Sequence, residues 1–200
     1  MVAGVLADET EAERLAAMGV RDSKKLTDNR ILAIDETIRD YLVHHVHIVP
    51  PDEYNRTYQK IKNLNKLLAM GHAAVITGIL KQTGESKTQV DGAISDKFGK
   101  NDRLEDAMAE LNCRLPLKQM VRGEAVIQVA AASILARAEF VRQIRKLSDE
   151  LGVDLPKGAA PQVDAAGRKL VQIYGPEVLS RAAKTHFKNY RRALQAERLL

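Results

Sequence analysis

The sequence predicts an α/β fold in which helices pack on a sheet. Short apolar runs with strand character alternate along the chain with amphipathic helical patterns, which is typical of α/β layering. Hydrophobic residues make up 45% of the 200 residues but aromatic residues only 4%, so Leu, Ile, Val and Ala must build the core. Such a core suits helices on a sheet better than a β-sandwich. The length fits one compact domain, with an α/β core over about residues 1–150 and a helical part over about residues 151–200.

Four elements are predicted in the first fifty residues. The apolar run MVAGVLA at the N-terminus predicts a strand, and residues 9–18 predict a helix. Thr27 is a candidate N-cap, and isoleucines follow it at helical spacing, so we expect a helix to about Tyr41. The alternating segment VHHVHIVP predicts a strand over residues 43–50.

The rest of the chain continues the alternation. Pro51 can begin a helix, and a second helix is expected from Asn65 to about Gln82, with Gly84 ending it. The segment KTQVDGAI predicts a strand after which a loop begins, with Asp91 at that junction. The remaining predictions are a helix over 104–111, a strand over 113–121, a long helix over 126–151, and helices over 165–174 and 176–187 around a Gly-Pro break.

Composition narrows the classes of protein. A single cysteine, Cys113, excludes an internal disulfide framework and a cysteine-based zinc cluster, and it favours a reducing compartment. No apolar stretch approaches the length of a membrane span, and the N-terminus lacks the features of a signal peptide. We therefore expect a cytoplasmic protein. The net charge of +5, with Lys and Arg in segments separate from the acids, indicates either a positive face for a polyanion or simply solvated helices.

Two acids are placed beside apolar segments. Asp91 is predicted where a strand meets a loop, and Glu124 precedes the long apolar helix near its N-terminus. Carboxylates brought together at such positions repel one another, and a hard divalent cation removes that repulsion. The alternative is structural: Glu124 would complement the helix dipole, and Asp91 would close a turn with Gly92. The residues taken alone leave both interpretations open.

Cationic segments are the second candidate feature. RDSKKLT offers cations and hydroxyls just before a helix, which is a plausible phosphate cradle and equally a plain N-cap with solvated lysines. Of the five histidines, His186 lies among Lys184, Lys188 and Asn189, and it is the one that we consider for function. Cys113 has no activating neighbour in sequence and is expected to pack in the core.

Nine short motifs resemble those of type 2 ribonucleases H, and their details are most similar to the bacterial ribonuclease HIII branch. They occur in the family's order over nearly the whole chain. The motifs are DSKKLT, the Tyr54-Asn55 after Pro-Pro, the turn at Asn63-Leu64-Asn65, VDG at 90–92, GEA at 123–125, AAASILAR at 130–137, LPKGA at 155–159, VDAA at 163–166 and KTHFKN at 184–189.

This resemblance implies a ribonuclease H-like mixed sheet flanked by helices, with a C-terminal helical extension, and cleavage of the RNA strand of RNA–DNA hybrids. It implies Mg²⁺ or Mn²⁺ bound by four carboxylates, of which Asp91 aligns with the third and Glu124 with the fourth. A bound metal of this kind activates water for attack on the phosphodiester. The resemblance also suggests substrate contacts, which are Ser23, Lys24, Lys25, Asn63, Asn65, Lys184, His186 and Asn189.

The chain departs from the family pattern at its N-terminus. The family's first strand carries an adjacent Asp-Glu pair and a glycine-rich turn, whereas MVAGVL aligns with the second strand, so we expect the first strand to be missing. Asp8-Glu9 does not replace that pair, because it follows the second strand and leads into a helix. We therefore expect an N-terminally truncated monomeric hybrid ribonuclease with an incomplete metal site and an exposed sheet edge. The alternative is a non-catalytic nucleic-acid-binding relative.

Overall fold

A computed structural model describes residues 1–86, 88–99 and 102–195. Lys87, where one of the strands is predicted to begin, and the last five residues of the predicted helical part lie outside these ranges. No described helix has the length and apolar character needed to cross a membrane. The α-helices are α1 (Glu9–Ala17), α2 (Asp28–Tyr41), α3 (Pro51–Ile61), α4 (Leu64–Ser86), α5 (Asp102–Glu110), α6 (Ile127–Leu151), α7 (Pro161–Tyr174), α8 (Leu179–Ala182) and α9 (Lys188–Gln195).

Four short strands form two separate pairs. The strands are β1 (Val2–Val5), β2 (His44–His47), β3 (Ala93–Asp96) and β4 (Leu117–Met120). β1 pairs with β2 antiparallel, Val2 facing His47. β3 pairs with β4 parallel, Ala93 facing Leu117 and Asp96 facing Met120. The predicted mixed arrangement is thus present as one antiparallel and one parallel pair, and the described strands do not join into one continuous sheet.

Helix starts follow the sequence signals closely. The Asp8 carboxylate accepts a hydrogen bond from the Glu11 backbone N–H, and the Glu11 carboxylate accepts one from the Asp8 backbone N–H, so the two residues form a capping box for α1. The Asp8-Glu9 segment is therefore a helix start, as predicted. Thr27 caps α2 through the Arg30 amide, which confirms the second predicted helix.

Three predicted elements have wrong bounds. α4 continues through Gly84 to Ser86. The helix predicted over 176–187 is present only as a 3₁₀ turn, Pro176–Val178, followed by α8, and a further helix, α9, begins at Lys188. Gly84 does not take the positive φ of a helix-ending glycine, so the backbone stays helical there. The third correction concerns the strand KTQVDGAI. The strand in the structure is Ala93–Asp96, which begins after Asp91 instead of ending at it.

By its contacts the chain divides into two compact units. The first unit holds Met1–Ile48 and Asn63–Phe140, and the second holds Val49–Lys62 with the described residues from Val141 on. The boundary near residue 140 falls inside α6. The expected single domain with a helical C-terminal part stays a prediction. In the structure α3 groups with the C-terminal helices, although it lies between β2 and α4 in the sequence.

Each unit has its own apolar core. In the first unit, isoleucines of α2 pack with Leu15 of α1 and with alanines, Ile134 and Leu135 of α6. A second cluster there joins α4 to α5 and contains the buried Cys113, so that cysteine packs in the core as expected. The core of the second unit lies among Leu151, Leu170, Val178 and their neighbours. Each fully buried aliphatic side chain contributes roughly 1.5–3 kcal/mol to folding, so these clusters are the main apolar contribution to the stability of each unit.

Candidate functional site

Asp96 and Glu124, here called the carboxylate pair, meet at one end of the parallel strand pair. Asp96 is the last residue of β3, and Glu124 follows the end of β4 in a short 3₁₀ turn, Gly123–Ala125. Because β3 and β4 run parallel, their carboxyl ends lie at the same edge. The Gly123 backbone N–H donates to Asp96 Oδ1 at 2.9 Å, which ties the two chain segments together.

Gly123 is required for this close approach. A Cβ atom added there would lie 2.8 Å from the Asp96 Cα and 3.0 Å from its backbone nitrogen. These are backbone atoms that cannot rotate away, so a side chain would push the end of β3 from the turn. The glycine of the GEA motif thus lets the Glu124 turn pack directly on Asp96.

Asp91 lies at the other end of the strand. It is exposed, its Oδ1 accepts a hydrogen bond from Gln89 at 2.8 Å, and the adjacent Gly92 packs against Pro116, which precedes β4. An extended chain of five residues spans on the order of 15 Å, so Asp91 and Asp96 belong to opposite edges of the pair. The prediction that Asp91 converges with Glu124 is therefore not supported by the geometry, and Asp96 is the aspartate that lies at the same edge as Glu124. In the structure the Asp91-Gly92 pair lies just before the start of the strand.

A cavity of about 400 Å³ opens beside the carboxylate pair. Both strand pairs line it, through β1 on one side and β3 on the other, and apolar side chains of α4 and α6 complete its wall. Polar residues from several elements line it as well. They are Asp22, Lys24, His72, Ser95, Asp96, Glu124, Gln128 and Ser133.

His72 of α4 stands next to Asp96 in this wall. Its ring stacks on Phe98 at 4.8 Å between centroids, and its Nδ1 lies 3.4 Å from the Ser95 hydroxyl. Burial lowers the pKa of His72 to about 4, and the nearby Asp96 charge opposes that shift only in part. His72 is therefore neutral at pH 7. Sequence reasoning missed this residue, since a histidine inside a helix gives no signal of which element faces it.

The DSKK segment forms a short 3₁₀ turn that α6 holds in place. The buried Ser23 hydroxyl lies 2.8 Å from the Ser133 hydroxyl, and Arg137 donates to the Ser23 carbonyl at 2.9 Å. Lys24 is exposed and lines the cavity with the carboxylate pair, and Lys25 is exposed as well. Of the predicted phosphate contacts in this segment, the structure brings Lys24 to the candidate site and gives Ser23 a hydrogen-bonding role inside the protein.

The predicted contacts Asn63 and Asn65 lie at the start of α4. Asn63 Oδ1 accepts from the Lys66 amide at 3.1 Å and from Arg103 at 2.9 Å, so this side chain caps the helix and ties it to α5. Asn65 packs against Gly99 in the loop after β3. Both side chains contact the protein, and neither of them lines the cavity beside the carboxylate pair.

The remaining predicted contacts belong to the second unit. Asn189 donates to Asp164 and to the Ala159 carbonyl, and Arg192 pairs with the same Asp164 at 2.9 Å. Asn189 thus joins α9 to α7. Lys184 and His186 lie in the turn before α9, against Tyr54 and Tyr58 of α3.

Asn55 fixes the turn that carries Lys184 and His186. This buried amide donates to the carbonyls of Ser180 and Ala183 at 2.8 and 2.9 Å. Its oxygen accepts from the backbone N–H of Thr185 at 3.0 Å. The sequence offered Asn55 only as part of a motif, and its role emerges from three partner residues that lie more than a hundred residues away along the chain.

Comparisons with known proteins agree with this architecture. The family model described as Ribonuclease HII matches residues 1–190. The chain belongs to the ribonuclease HII family. Among curated relatives it is 41% identical over 192 residues to the ribonuclease HIII of Chlamydia abortus, covering 94% of this chain and 62% of that protein. It is 36% identical over 197 residues to the ribonuclease HIII of Bacillus cereus, covering 97% and 63%.

Solved structures show the same fold. The crystal structure of Bst-RNase HIII in complex with Mn²⁺ superposes with a TM-score of 0.90 at 30% identity, covering 99% of this chain and 65% of that one. The ribonuclease H2 of Pyrococcus horikoshii OT3 has a TM-score of 0.71 at 20% identity, which shows the fold alone. These superpositions confirm the expected ribonuclease H-like fold. The chain spans 62% of the length of the Chlamydia abortus relative.

Proposed function

We propose that this chain is the catalytic-domain portion of an endoribonuclease that hydrolyses the RNA strand of RNA–DNA hybrids with Mg²⁺ or Mn²⁺. The observation that carries the proposal is the carboxylate pair, which stands at the shared edge of two parallel strands and lines a cavity with Lys24. Membership in the ribonuclease HII family supports the reaction, and the Mn²⁺ complex of the Bst enzyme supports the metal.

The donor atoms of the carboxylate pair suit a hard divalent cation. Mg²⁺ and Mn²⁺ prefer carboxylate oxygens, and the pair supplies them from two segments held together by the Gly123–Asp96 hydrogen bond. A bound cation would supply Lewis acidity towards the phosphodiester. The protein's own part is to fix the two carboxylates and to present the Lys24 ammonium group to a phosphate oxygen.

An additional strand completes the site in this proposal. β1 and β3 each pair on one side with a described strand, and both line the same cavity. Among residues 1–86, 88–99 and 102–195, no group of three or more His, Cys, Asp or Glu side chains could hold a metal ion. Further carboxylates are therefore needed, and a strand between β1 and β3 would bring them beside the carboxylate pair.

We also propose a cellular setting and an oligomeric state for this activity. Removal of RNA from hybrids belongs to replication and repair, and we place the protein in the cytoplasm as a monomer. The buried single thiol, Cys113, is compatible with a reducing compartment. Ser23 and Lys25 stay proposed as phosphate-side positions, Ser23 through the turn that it anchors, and Asn63, Asn65, Lys184, His186 and Asn189 as positions near the substrate.

Site variants of the extended protein test the proposal. The coding sequence is extended upstream in frame with its native DNA, and hybrid cleavage is measured with Mg²⁺ and with Mn²⁺. We expect Asp96→Asn and Glu124→Gln to abolish cleavage because each removes a metal ligand, whereas the matched control Asp91→Asn keeps wild-type rates. Undiminished cleavage by Asp96→Asn, or loss of cleavage in Asp91→Asn alone, would overturn the site assignment.

A non-catalytic hybrid-binding protein is the second candidate. The observation in its favour is that, within the described ranges, the carboxylate pair has no third ligand. This candidate predicts salt-dependent hybrid binding without cleavage under either metal. The DNA upstream of Met1 distinguishes the two candidates, because an in-frame segment with a strand carrying Asp-Glu and a glycine-rich turn supports the enzyme and an early stop codon supports the binding protein.

A further inference from the structure

The second unit carries an aromatic and cationic cluster that the metal chemistry does not use. It is called the aromatic platform here and consists of Tyr54, Tyr58, Lys184, His186 and Phe187. The two tyrosines stack at 5.9 Å between centroids, and the His186 ring lies 4.3 Å from Tyr58. The centroid of the Phe187 ring lies 4.5 Å from that of His186, and Phe187 is 49% exposed, so it presents a ring to solvent beside the buried Tyr54 and the half-buried Tyr58 and His186.

The positive charge of the platform is fixed against its rings. The Lys184 ammonium nitrogen lies 4.4 Å from the Tyr54 ring centroid and 5.7 Å from that of Phe187. The segment from Arg181 to Gln195 contains five Lys or Arg residues and no Asp or Glu. The platform therefore stands in a locally positive stretch of chain, which attracts a polyanion.

The turn that presents these groups is rigid. Asn55 holds it through the Ala183 carbonyl and the Thr185 amide, and the Phe187 amide closes the turn onto the Lys184 carbonyl at 3.1 Å. A fixed turn loses little conformational entropy on binding. Lys184 and Phe187 are therefore prepared for a ligand before it arrives.

Two buried polar atoms in the platform have no partner. The hydroxyl oxygen of Tyr54 and Nδ1 of His186 are both enclosed and make no hydrogen bond to the described protein. Tyr54 is 5% exposed. Buried polar atoms without a partner are uncommon and costly, so the platform retains hydrogen-bonding capacity that the described residues do not satisfy.

We propose that the aromatic platform binds a single-stranded nucleic acid segment, with a base stacked on Phe187 and a phosphate at Lys184. An exposed ring beside a fixed cation is the combination by which proteins hold unpaired strands without sequence preference. This goes beyond cleavage of a paired hybrid, since it assigns the second unit a contact with unpaired nucleotides. It does not depend on a bound metal.

The absence of tryptophan from the sequence makes a direct test possible. Phe187→Trp introduces a single tryptophan at the platform, and Ile173→Trp introduces one at a 52% exposed position of α7 in the same unit. Both proteins are titrated with a 20-nucleotide oligothymidylate in EDTA. We expect quenching of the Phe187→Trp fluorescence, because a stacked base quenches indole emission, and little change for Ile173→Trp.

Affinity gives a second readout. Lys184→Ala and Phe187→Leu should each weaken oligothymidylate binding at least about fivefold, whereas Lys169→Ala, which removes the same charge from an exposed position of α7, should leave it within about twofold. Equal quenching of both tryptophans, absence of quenching, or equal losses for Lys184→Ala and Lys169→Ala would overturn the proposal. The assay has no metal and no cleavage step, so its failure is separate from failure of the proposed nuclease activity.

Discussion

Single residues decide which acids form the candidate site. Asp96 ends a strand and accepts the Gly123 N–H, so its carboxylate is fixed beside Glu124. Asp91 lies before the start of the same strand, and both aspartates are exposed. A Cβ on Gly123 would meet backbone atoms of Asp96, so this position must be glycine. The close approach of the Glu124 turn to Asp96 therefore depends on a residue that contributes no side chain.

Loss of the Asn55 side chain should strongly destabilise the second unit. Asn55→Ala leaves the Thr185 amide and the carbonyls of Ser180 and Ala183 buried without their partner. We expect the free energy of unfolding to fall by about 3 kcal/mol, measured by urea denaturation. Gln172→Ala, at an exposed position of α7, is the matched control and should change it by less than about 0.5 kcal/mol. Equal effects of the two changes would contradict the role of Asn55.

At the scale of elements, the helices were easier to predict than the strands. α1 and α2 carry side-chain caps and apolar residues at helical spacing, so their bounds follow from local signals. The bounds of β3 do not follow from local signals, because this strand has four residues and its place is set by pairing with β4. The apolar run before Asp91 therefore looked like the strand, and Asp96 was missed as a site residue. Likewise, Gly84 looked like a helix end, but Thr83 beside it is buried and α4 continues.

Contacts between distant elements explain the other omissions. His72 faces Asp96 only because α4 packs beside β3, and Asn55 meets Thr185 only because α3 belongs to the second unit. The capping role of Asn63 depends in part on Arg103 of α5. Local periodicity and capping rules contain no information about such pairings, whereas they placed Glu124 correctly at the turn before α6.

The helix α4 should carry a pH dependence through His72. Its pKa of about 4 in the folded protein lies below the value of 6.5 for an exposed histidine, so the unfolded state binds the proton more readily. Stability from this group is present above pH 6.5 and is lost as the pH falls towards 4. Between pH 7 and pH 5 the loss is about 2 kcal/mol.

Two measurements check this dependence. The His72 ring resonances followed by NMR should titrate near pH 4, and His72→Gln should lose about 2 kcal/mol less unfolding free energy than the wild type between pH 7 and pH 5. The other titrating groups are common to both proteins, so the difference isolates His72. A midpoint near 6.5 would show that the ring is not buried beside Asp96 as described.

At the scale of the whole molecule, the two compact units have different chemistry. The first unit holds the carboxylate pair, Lys24 and the cavity between β1 and β3. The second unit holds the aromatic platform and a positive segment. Metal binding and nucleic-acid binding can therefore be tested separately in the same chain, and the assignment of the metal site is the claim on which the proposed reaction depends.

The most direct test of that claim is the position at which Mn²⁺ binds. Substoichiometric Mn²⁺ is added to the ¹⁵N-labelled protein, extended upstream as in the cleavage assay, and paramagnetic broadening of each backbone amide is measured. We expect the amides of Ser95, Gly123 and Glu124 to broaden first, and Asp96→Asn to remove the effect while Asp91→Asn preserves it. Broadening that begins around Gly92 and disappears in Asp91→Asn would contradict the assignment of the carboxylate pair.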